Sequence, residues 1–405
     1  MPHKWYAASC GGRSIEGGNT MAEALVVGAG VVGASVAFHL AERGVETLVV
    51  DREEPAAGST ARSGALIRAH YPTALEADLA WESLTGYFEP WGERIGGGCG
   101  FTRTGFAYLA GEDNLEALRH NVGLQRSVGV ETELIGPAEL KELDPALRTD
   151  DVALAAYEPR GGYADPTATT LGLLEAARSL GARFEKRRVT TLRVEGERIA
   201  GVETEGGPLE ARVIVLAAGA WSVPLAAGVG LELPIQPVKS QVALFERPYS
   251  LATHLTLIDS VTGFYARPAA EHATLVGARD YLSPLEAAED PGEPDPGYPV
   301  AAAGLVGERI PALRGAPYRS GRSGVLDMTP DGRPILGPEG PEGLYLAVGW
   351  SGTGFKKAPA VGAEVACWIS EGNPRREGLR AYALERFLTG DLVFGEYEPG
   401  VKRPH

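Results

Sequence analysis

The hydrophobic and polar positions of residues 24–52 follow a pattern that predicts a strand, a tight turn, a helix and a second strand. Both ends of this stretch are rich in aliphatic β-formers. Between them Val32, Val36 and Leu40 recur every four residues, as one face of a helix requires. Gly44 is placed to end that helix. The pattern therefore predicts a β–α–β unit near the start of the chain.

Helices and extended segments continue to alternate after this unit, and the region 233–283 is mostly extended. Helices are expected over 74–95, 113–128, from 137, 165–180, 300–309 and from about 354 to 370. Strands are expected as a pair over 101–110 and at 182–185, 188–194, 198–204, 209–216, 242–245, 255–258, 264–267, 274–276 and 344–348. The acidic, proline-rich stretch 284–299 predicts a surface loop. This order of elements predicts an α/β fold, α+β overall.

Length and charge narrow the class of protein. A chain of 405 residues is longer than one hydrophobic core usually spans, which favours two domains. Its 38 basic and 53 acidic residues give a net charge of −15, which argues against nucleic acid or an anionic membrane as a partner. Cys10, Cys99 and Cys367 lie far apart, so they predict neither a disulfide framework nor a metal site. This cysteine usage favours a cytoplasmic protein.

Two stretches near the N-terminus are candidates for a targeting signal and a membrane span, and the sequence argues against both. Residues 1–20 contain no apolar run, so we expect a loose extension and take Met21 as the start of the fold. Residues 24–41 carry no formal charge, but three glycines within six positions, with Ser35 and His39, argue against a membrane span.

The turn between the first strand and the helix of the β–α–β unit contains a glycine pattern that suits phosphate binding. Gly28, Gly30 and Gly33 fit the G-x-G-x-x-G pattern, in which glycines allow a sharp turn, a close approach of pyrophosphate and tight helix packing. The helix start then offers free N–H groups and a positive dipole end to phosphates. Asp51 follows at the end of the second strand, where an acid binds an adenosine ribose. These residues predict a dinucleotide site.

Two later segments have a composition that suits contact with a flat, anionic ligand. Residues 52–71 are rich in small and hydroxyl side chains, which let backbone N–H groups reach a ligand. The stretch 349–359 joins a strand to a helix through a glycine-rich turn and makes a second helix start suited to negative charge.

From Met21 to about Gly390 the chain resembles the FAD-dependent amino-acid and amine oxidoreductases, the group of D-amino-acid oxidase, glycine oxidase and sarcosine oxidase. Five segments carry the resemblance, in the same order as in that group. They are the glycine fingerprint ending in Asp51, Gly58–Arg68, Ala217–Ser222, Thr329–Pro334 and Gly349–Lys356.

The resemblance implies a Rossmann-like FAD-binding domain and a substrate domain built on a mostly antiparallel mixed sheet. The FAD domain is expected to be discontinuous, over 21–90, 150–230 and 318–388. The substrate domain is expected over 91–149 and 231–317, and residues 389–405 are expected to form a C-terminal tail.

The resemblance also implies roles for individual residues toward the cofactor. The fingerprint and the residues after it would bind the adenosine and the pyrophosphate. The second segment would line the phosphates and the ring edge, and the backbone of one residue would hold the adenine. The start of the last helix would face the pyrimidine end of the flavin ring. The matching residues are Gly28, Gly30, Val31, Val32, Gly33, Asp51, Arg52, Ser59, Thr60, Gly64, Ala65, Val189, Ala218, Gly219, Gly352, Gly354 and Phe355.

Three further positions match substrate-binding residues of the group. Arg68 and Lys356 match a pair that holds the substrate carboxylate in the sarcosine oxidase branch, and Tyr265 matches a pocket tyrosine. Charge-assisted hydrogen bonds from two cations are a suitable clasp for a carboxylate.

Two positions depart from the group. Where some sarcosine oxidases attach the flavin through a cysteine, this chain has the stretch 324–328 without one, so we expect non-covalent FAD. Where those oxidases carry a lysine that assists oxygen, this chain has Leu275, so the electron acceptor is oxygen or another carrier. Arg279, two residues after the next glycine, is a further candidate for the pocket.

The resemblance thus implies oxidation of a small amine that bears a carboxylate, such as glycine, sarcosine, proline or a D-amino acid, by hydride transfer to flavin N5. No metal is expected. Three alternatives stay open: a 2-hydroxy-acid dehydrogenase on the same scaffold, a nicotinamide enzyme, and a subunit that binds FAD without catalysis. Homo-oligomerisation also stays open.

Overall fold

The β–α–β unit expected from the hydrophobic pattern lies at the centre of the first of three sheets, in a computed structural model that describes residues 22–397. The expectations for residues 1–20, for Met21 and for the end of the C-terminal tail lie outside the described residues. The helices are Val31–Glu42, Ala74–Ser83, Trp91–Arg94, Leu115–Ser127, Pro137–Leu143, Pro166–Ser179, Ser222–Ala227, Tyr298–Arg309, Gly354–Glu371 and Arg386–Thr389.

The first sheet has five parallel strands at its centre. In spatial order they are Arg183–Lys186, Thr47–Asp51, Ala22–Val27, Leu209–Leu216 and Leu344–Val348. Ile335–Pro338 closes one edge antiparallel, and the hairpin of Val189–Glu195 and Arg198–Thr204 extends from the start of Leu209–Leu216. Strands Ala22–Val27, Thr47–Asp51 and Leu344–Val348 are largely buried, as parallel strands covered on both faces are, whereas Arg183–Lys186 at the edge is mostly exposed or half-buried.

The second sheet is mostly antiparallel. Its strands in spatial order are Ser283–Pro284, Gln236–Glu246, Ala273–Ala278, Phe264–Ala269, Thr256–Asp259, Phe106–Ala110, Leu154–Glu158 and Glu133–Ile135, with Tyr318–Met328 also paired to Gln236–Glu246. Its one parallel pairing joins Thr256–Asp259 to Phe106–Ala110. The expected combination of a Rossmann-like sheet with a mostly antiparallel mixed sheet is therefore confirmed.

Two local expectations were wrong. The strands Thr102–Arg103 and Phe106–Ala110 do not pair with each other, because Thr102–Arg103 joins Leu66–Ile67 and Gly162–Tyr163 in the small third sheet. The helix expected over 74–95 ends as an α-helix at Ser83, widens into a π-turn over Leu84–Phe88, and restarts at Trp91 after Pro90. Proline lacks the N–H that a continuous helix needs.

The strand pairing bears on where the domains divide. Leu154–Glu158 and Tyr318–Met328 both pair within the second sheet, although we expected residues 150–230 and 318–388 in the FAD domain. We propose that each boundary lies after the strand concerned.

Across residues 22–397, none of the helices combines the length and the apolar character needed to cross a bilayer.

Candidate active site

A cavity of about 1030 Å³ opens at the carboxyl ends of the parallel strands. Val27, Asp51 and Ala217, each at or just after the end of such a strand, contribute to its lining. Open α/β sheets bind their ligands at this edge. The volume is at the upper end of the range of roughly 300–1,000 Å³ for small-molecule and cofactor sites.

The cavity gathers almost all the residues that the sequence singled out. Those that line it are Gly28, Gly30, Val31, Val32, Asp51, Arg52, Ser59, Thr60, Gly64, Ala65, Arg68, Val189, Ala218, Gly219, Tyr265, Gly352, Gly354, Phe355 and Lys356. Gly33 is the exception, because it lies in the helix behind the turn. Which of these residues contact a ligand stays a prediction.

The glycine turn has the backbone geometry that its sequence demands. Gly28 has a φ of +113°, and a Cβ atom on it would stand 2.5 Å from the carbonyl oxygen of Ala217. A Cβ atom on Gly33 would stand 1.9 Å from the carbonyl oxygen of Gly28, so helix and strand approach closely only because Gly33 has no side chain. Val31 N–H donates to the Thr60 hydroxyl at 3.2 Å, which joins the turn to the second segment.

Asp51 braces this turn from the next strand. One carboxylate oxygen accepts from Ala29 N–H at 2.7 Å and the other from Glu53 N–H at 2.9 Å. Arg52 lies over the Trp221 ring, 4.8 Å from its centroid. The carboxylate therefore fixes the glycine turn and also lines the cavity.

The second helix start is held by an acid that the sequence reasoning missed. Asp327 lines the cavity and accepts from Gly349 N–H at 2.8 Å, at the strand end that leads into the turn before Gly354. Burial raises the pKa of Asp327 to about 6. The helix Gly354–Glu371 has no side-chain cap and no acid in its first turn, so its N–H groups are free to meet an anion.

Arg68 lines the cavity, and its guanidinium lies against two aromatic rings. Its guanidinium carbon lies 4.5 Å from the centroid of Tyr71 and 5.8 Å from that of Phe106, and one terminal nitrogen donates to the His70 carbonyl. Behind it, the buried Glu158 carboxylate accepts from Ala69 N–H at 2.8 Å. Burial raises the pKa of Glu158 to about 7.

Lys356 and Lys357 are adjacent and both buried, but their charges are balanced differently. Lys357 donates to Glu76 at 2.8 Å, and Arg333 lies 2.8 Å from the other oxygen of the same carboxylate. Lys356 lines the cavity, and no carboxylate within residues 22–397 lies in ion-pair contact with it. Burial, with Arg68 and Lys357 nearby, holds the pKa of Lys356 well below its usual value.

Tyr265 stands in the cavity wall because two glycines leave room for its ring. A Cβ atom on Gly64 would lie 2.7 Å from the ring, and one on Gly277 would lie 2.2 Å from it. Burial raises the pKa of Tyr265 to about 12, so its hydroxyl is protonated at neutral pH and can donate a hydrogen bond.

Other cavity residues carried little sequence signal. Tyr108 lines the cavity and stacks on His70, with ring centroids 4.5 Å apart. His70 is buried and hydrogen-bonded to Gln125, and burial with Arg68 nearby lowers its pKa to about 3, so it is neutral. Arg279, the further candidate from the sequence, also lines the cavity. Leu275 is buried but does not line the cavity, and it pairs with Arg267 on the adjacent strand.

The donor set fits FAD. Two helix starts without side-chain caps face one cavity, Gly30 presents no side chain to it, and Arg52 lines it in contact with Trp221. Within residues 22–397, no group of three His, Cys, Asp or Glu side chains is arranged to hold a metal ion.

Comparison with known proteins agrees with this geometry. A family profile described as FAD dependent oxidoreductase matches residues 23–368. Glycine oxidase from Geobacillus kaustophilus is 28% identical over 360 residues, 84% of this chain and 91% of the relative. The solved L-proline dehydrogenase from P. horikoshii superposes with a TM-score of 0.86 at 29% identity, covering 92% of this chain and 99% of that one.

Human mitochondrial sarcosine dehydrogenase is 27% identical over 381 residues, which cover 90% of this chain. The chain spans only 41% of the length of that relative and of its mouse counterpart.

Proposed function

Because the chain belongs to the FAD-dependent oxidoreductase family, we propose that it oxidises an amino acid or N-alkylamino acid at a carbon–nitrogen bond. Its substrate carboxylate would be held by Arg68 and Lys356, with Tyr265 beside it. The relatives that act on glycine, sarcosine and L-proline support this class of substrate without choosing among its members.

The observation that carries the proposal is the unbalanced charge of Lys356. A buried ammonium without a counter-ion is costly, and its pKa is lowered accordingly. A carboxylate that bridges Lys356 and Arg68 would restore the balance. The neighbouring Lys357 needs no such ligand, because Glu76 already neutralises it.

The residues of the site act by binding and orientation. FAD, when bound, accepts the hydride, and the protein has only to present the donor carbon to it. The Tyr265 hydroxyl stays protonated and can donate to the substrate, whereas His70 is neutral and does not line the cavity. The glycine turn and the start of helix Gly354–Glu371 would hold the two ends of the cofactor.

The proposal is tested by anaerobic mixing of the yellow protein with glycine, sarcosine, L-proline and D-alanine, followed by stopped-flow absorbance. Loss of the flavin absorbance with at least one of them is the expected result, and oxygen is then admitted to show whether it is the acceptor. If none of the amines reduces the flavin, the proposal fails.

The carboxylate clasp would also suit a 2-hydroxy acid, so 2-hydroxyglutarate is included in the same screen. Reduction by the hydroxy acid alone would assign the alternative dehydrogenase. If activity survives in both Arg68→Gln and Lys356→Met, the substrate site has been assigned to the wrong residues.

A further inference from the structure

Two arginines of the second sheet lie behind the cavity wall without a carboxylate in contact among residues 22–397. Arg267, on strand Phe264–Ala269, is only 6% exposed, and Arg322, on strand Tyr318–Met328, is half-buried. By contrast, the buried Arg309 at the end of helix Tyr298–Arg309 is paired with carboxylates: it contacts Asp259 at 2.7 Å and Asp151 at 2.6 Å. Arg267 and Arg322 therefore bring an uncompensated positive charge into the protein.

Their hydrogen bonds end on the cavity wall. Arg267 Nε donates to the Gly64 carbonyl, and its Nη1 donates to the Pro268 carbonyl at 2.8 Å. Arg322 Nη2 donates to the Ser63 carbonyl at 3.2 Å, while its Nε is buried without an acceptor. Ser63 and Gly64 both line the cavity, so the two cations lie directly behind one patch of its wall.

Among residues 22–397, no carboxylate makes an ion-pair contact with either arginine of the pair. The ring of Tyr163 lies 4.5 Å from the Arg267 guanidinium, and the Tyr265 phenol is kept protonated by burial. Asp165 attracts both arginines without touching either. Burial lowers the pKa of Arg267 to about 10 and also lowers that of Arg322, but both remain charged at pH 7.

We infer that Arg267 and Arg322 form a cationic pair behind the cavity wall that stabilises negative charge on the part of the flavin lying against residues 63–65. A flavin that has accepted two electrons carries more negative charge than an oxidised one, so a positive field there favours reduction. The inference rests on the FAD of the proposed function and on the placement of its ring edge against Gly64 and Ala65. It is independent of which amine is oxidised.

Sulfite provides a direct test. It donates its electron pair to flavin N5, forming a nitrogen–sulfur bond without a leaving group, and the ring gains the negative charge. Sulfite affinity is read from the loss of flavin absorbance in a titration. The midpoint potential is measured in parallel by equilibration with a reference dye.

We expect Arg267→Gln and Arg322→Gln each to weaken sulfite binding about tenfold, the scale of one unit charge acting through partly buried surroundings, and to lower the midpoint potential. Arg267→Lys keeps the charge and should keep most of the affinity. A purely structural role of the arginine would make the lysine and glutamine variants equally defective.

Arg247→Gln is the matched control. Arg247 is also buried and also donates to a carbonyl, that of Ala273 at 2.9 Å, but Ala273 does not line the cavity. Unchanged sulfite affinity and potential in flavin-loaded Arg267→Gln and Arg322→Gln would overturn the inference, as would an equal loss in Arg247→Gln. If one glutamine variant loses its flavin, the other decides the question. Because sulfite needs no substrate, failure of the amine screen would leave this result readable.

Discussion

At the scale of single residues, charge balance separates side chains of the same type. Lys357 and Lys356 are neighbours at one helix start, yet Glu76 pairs only with the first, and the second faces the cavity. Arg68 is similarly exposed to the cavity and rests on the Tyr71 and Phe106 rings instead of a carboxylate. We propose that the carboxylate of the substrate is the anion that pairs with Lys356 and Arg68.

Replacement of Arg68 by glutamine should raise KM for the substrate about 10- to 100-fold, since hydrogen bonds to charged groups contribute roughly 1.5–3 kcal/mol. The value of kcat should change less, because the carboxylate is remote from the reacting bond. Steady-state kinetics measures both. Arg119→Gln, at an exposed position of helix Leu115–Ser127, is the control and should leave both parameters unchanged.

The lowered pKa of Lys356 predicts a pH dependence of carboxylate binding. The ammonium is protonated below its pKa and lost above it, so affinity for a carboxylate without an amino group, such as acetate, should fall as the pH rises. In Lys356→Arg the guanidinium stays charged, so the part of this fall that comes from Lys356 should disappear. Flavin absorbance reports the binding at each pH.

Glu158 adds a second effect of the same sign. Its carboxyl ionises near pH 7 beside Arg68, so the part of the profile that survives in Lys356→Arg should vanish on adding Glu158→Gln. A profile that neither change alters would contradict the assignment of both groups.

At the scale of elements, two strand–turn–helix units supply the ends of the cavity that we propose bind anions. The first depends on the absence of a side chain at Gly33, and the second on a turn that Asp327 fixes from strand Tyr318–Met328 of the second sheet. The residue before each helix makes no side-chain cap, and in the described part of the chain only Val31 N–H at the start of the first helix is taken, by the Thr60 hydroxyl.

Gly33→Ala should therefore separate helix Val31–Glu42 from its strand. The added Cβ atom would meet the Gly28 carbonyl, and overpacked sites lose roughly 1–3 kcal/mol of stability. The purified variant should contain less FAD and melt at a lower temperature. Gly304→Ala, also inside a helix but with no atom within 4 Å of the new Cβ, should keep its FAD and be at least as stable. Equal FAD content in the two variants would refute this role of Gly33.

At the scale of the whole molecule, the cavity belongs to neither sheet alone. The first sheet contributes strand ends and helix starts, and the second contributes Tyr265, Tyr108 and the wall at Gly324. The Tyr265 ring packs against Gly64, which lies far earlier in the chain. Cofactor binding is therefore expected to link the two sheets energetically.

Removal of FAD should be reversible and should lower the melting temperature. The stretch 324–328, which matches the place of an attaching cysteine, contains none, and Cys99 and Cys367 do not line the cavity, so acid precipitation should release all the yellow colour into solution. Adding FAD back at 100 times its Kd should restore about 2.7 kcal/mol of stability by mass action. Colour retained in the acid pellet would indicate a covalent link.

The sequence alone determined the β–α–β unit, the turn glycines and the family, because these depend on local periodicity and on residues close together in the chain. The resemblance to the D-amino-acid oxidase group is confirmed, as is the fold class. The hairpin expected over 101–110 was wrong, because strand partners are chosen by packing over long distances and not by adjacency.

Only the tertiary structure decided which charges are balanced. Nothing in the local sequence distinguishes Lys356 from Lys357, or the paired Arg309 from Arg267, since their partners lie many residues away. Asp327 was missed for the same reason: its role depends on a strand end that approaches it only in the folded chain. Burial and electrostatic compensation are properties of the packed molecule, so no pattern of neighbouring residues in the chain could report them.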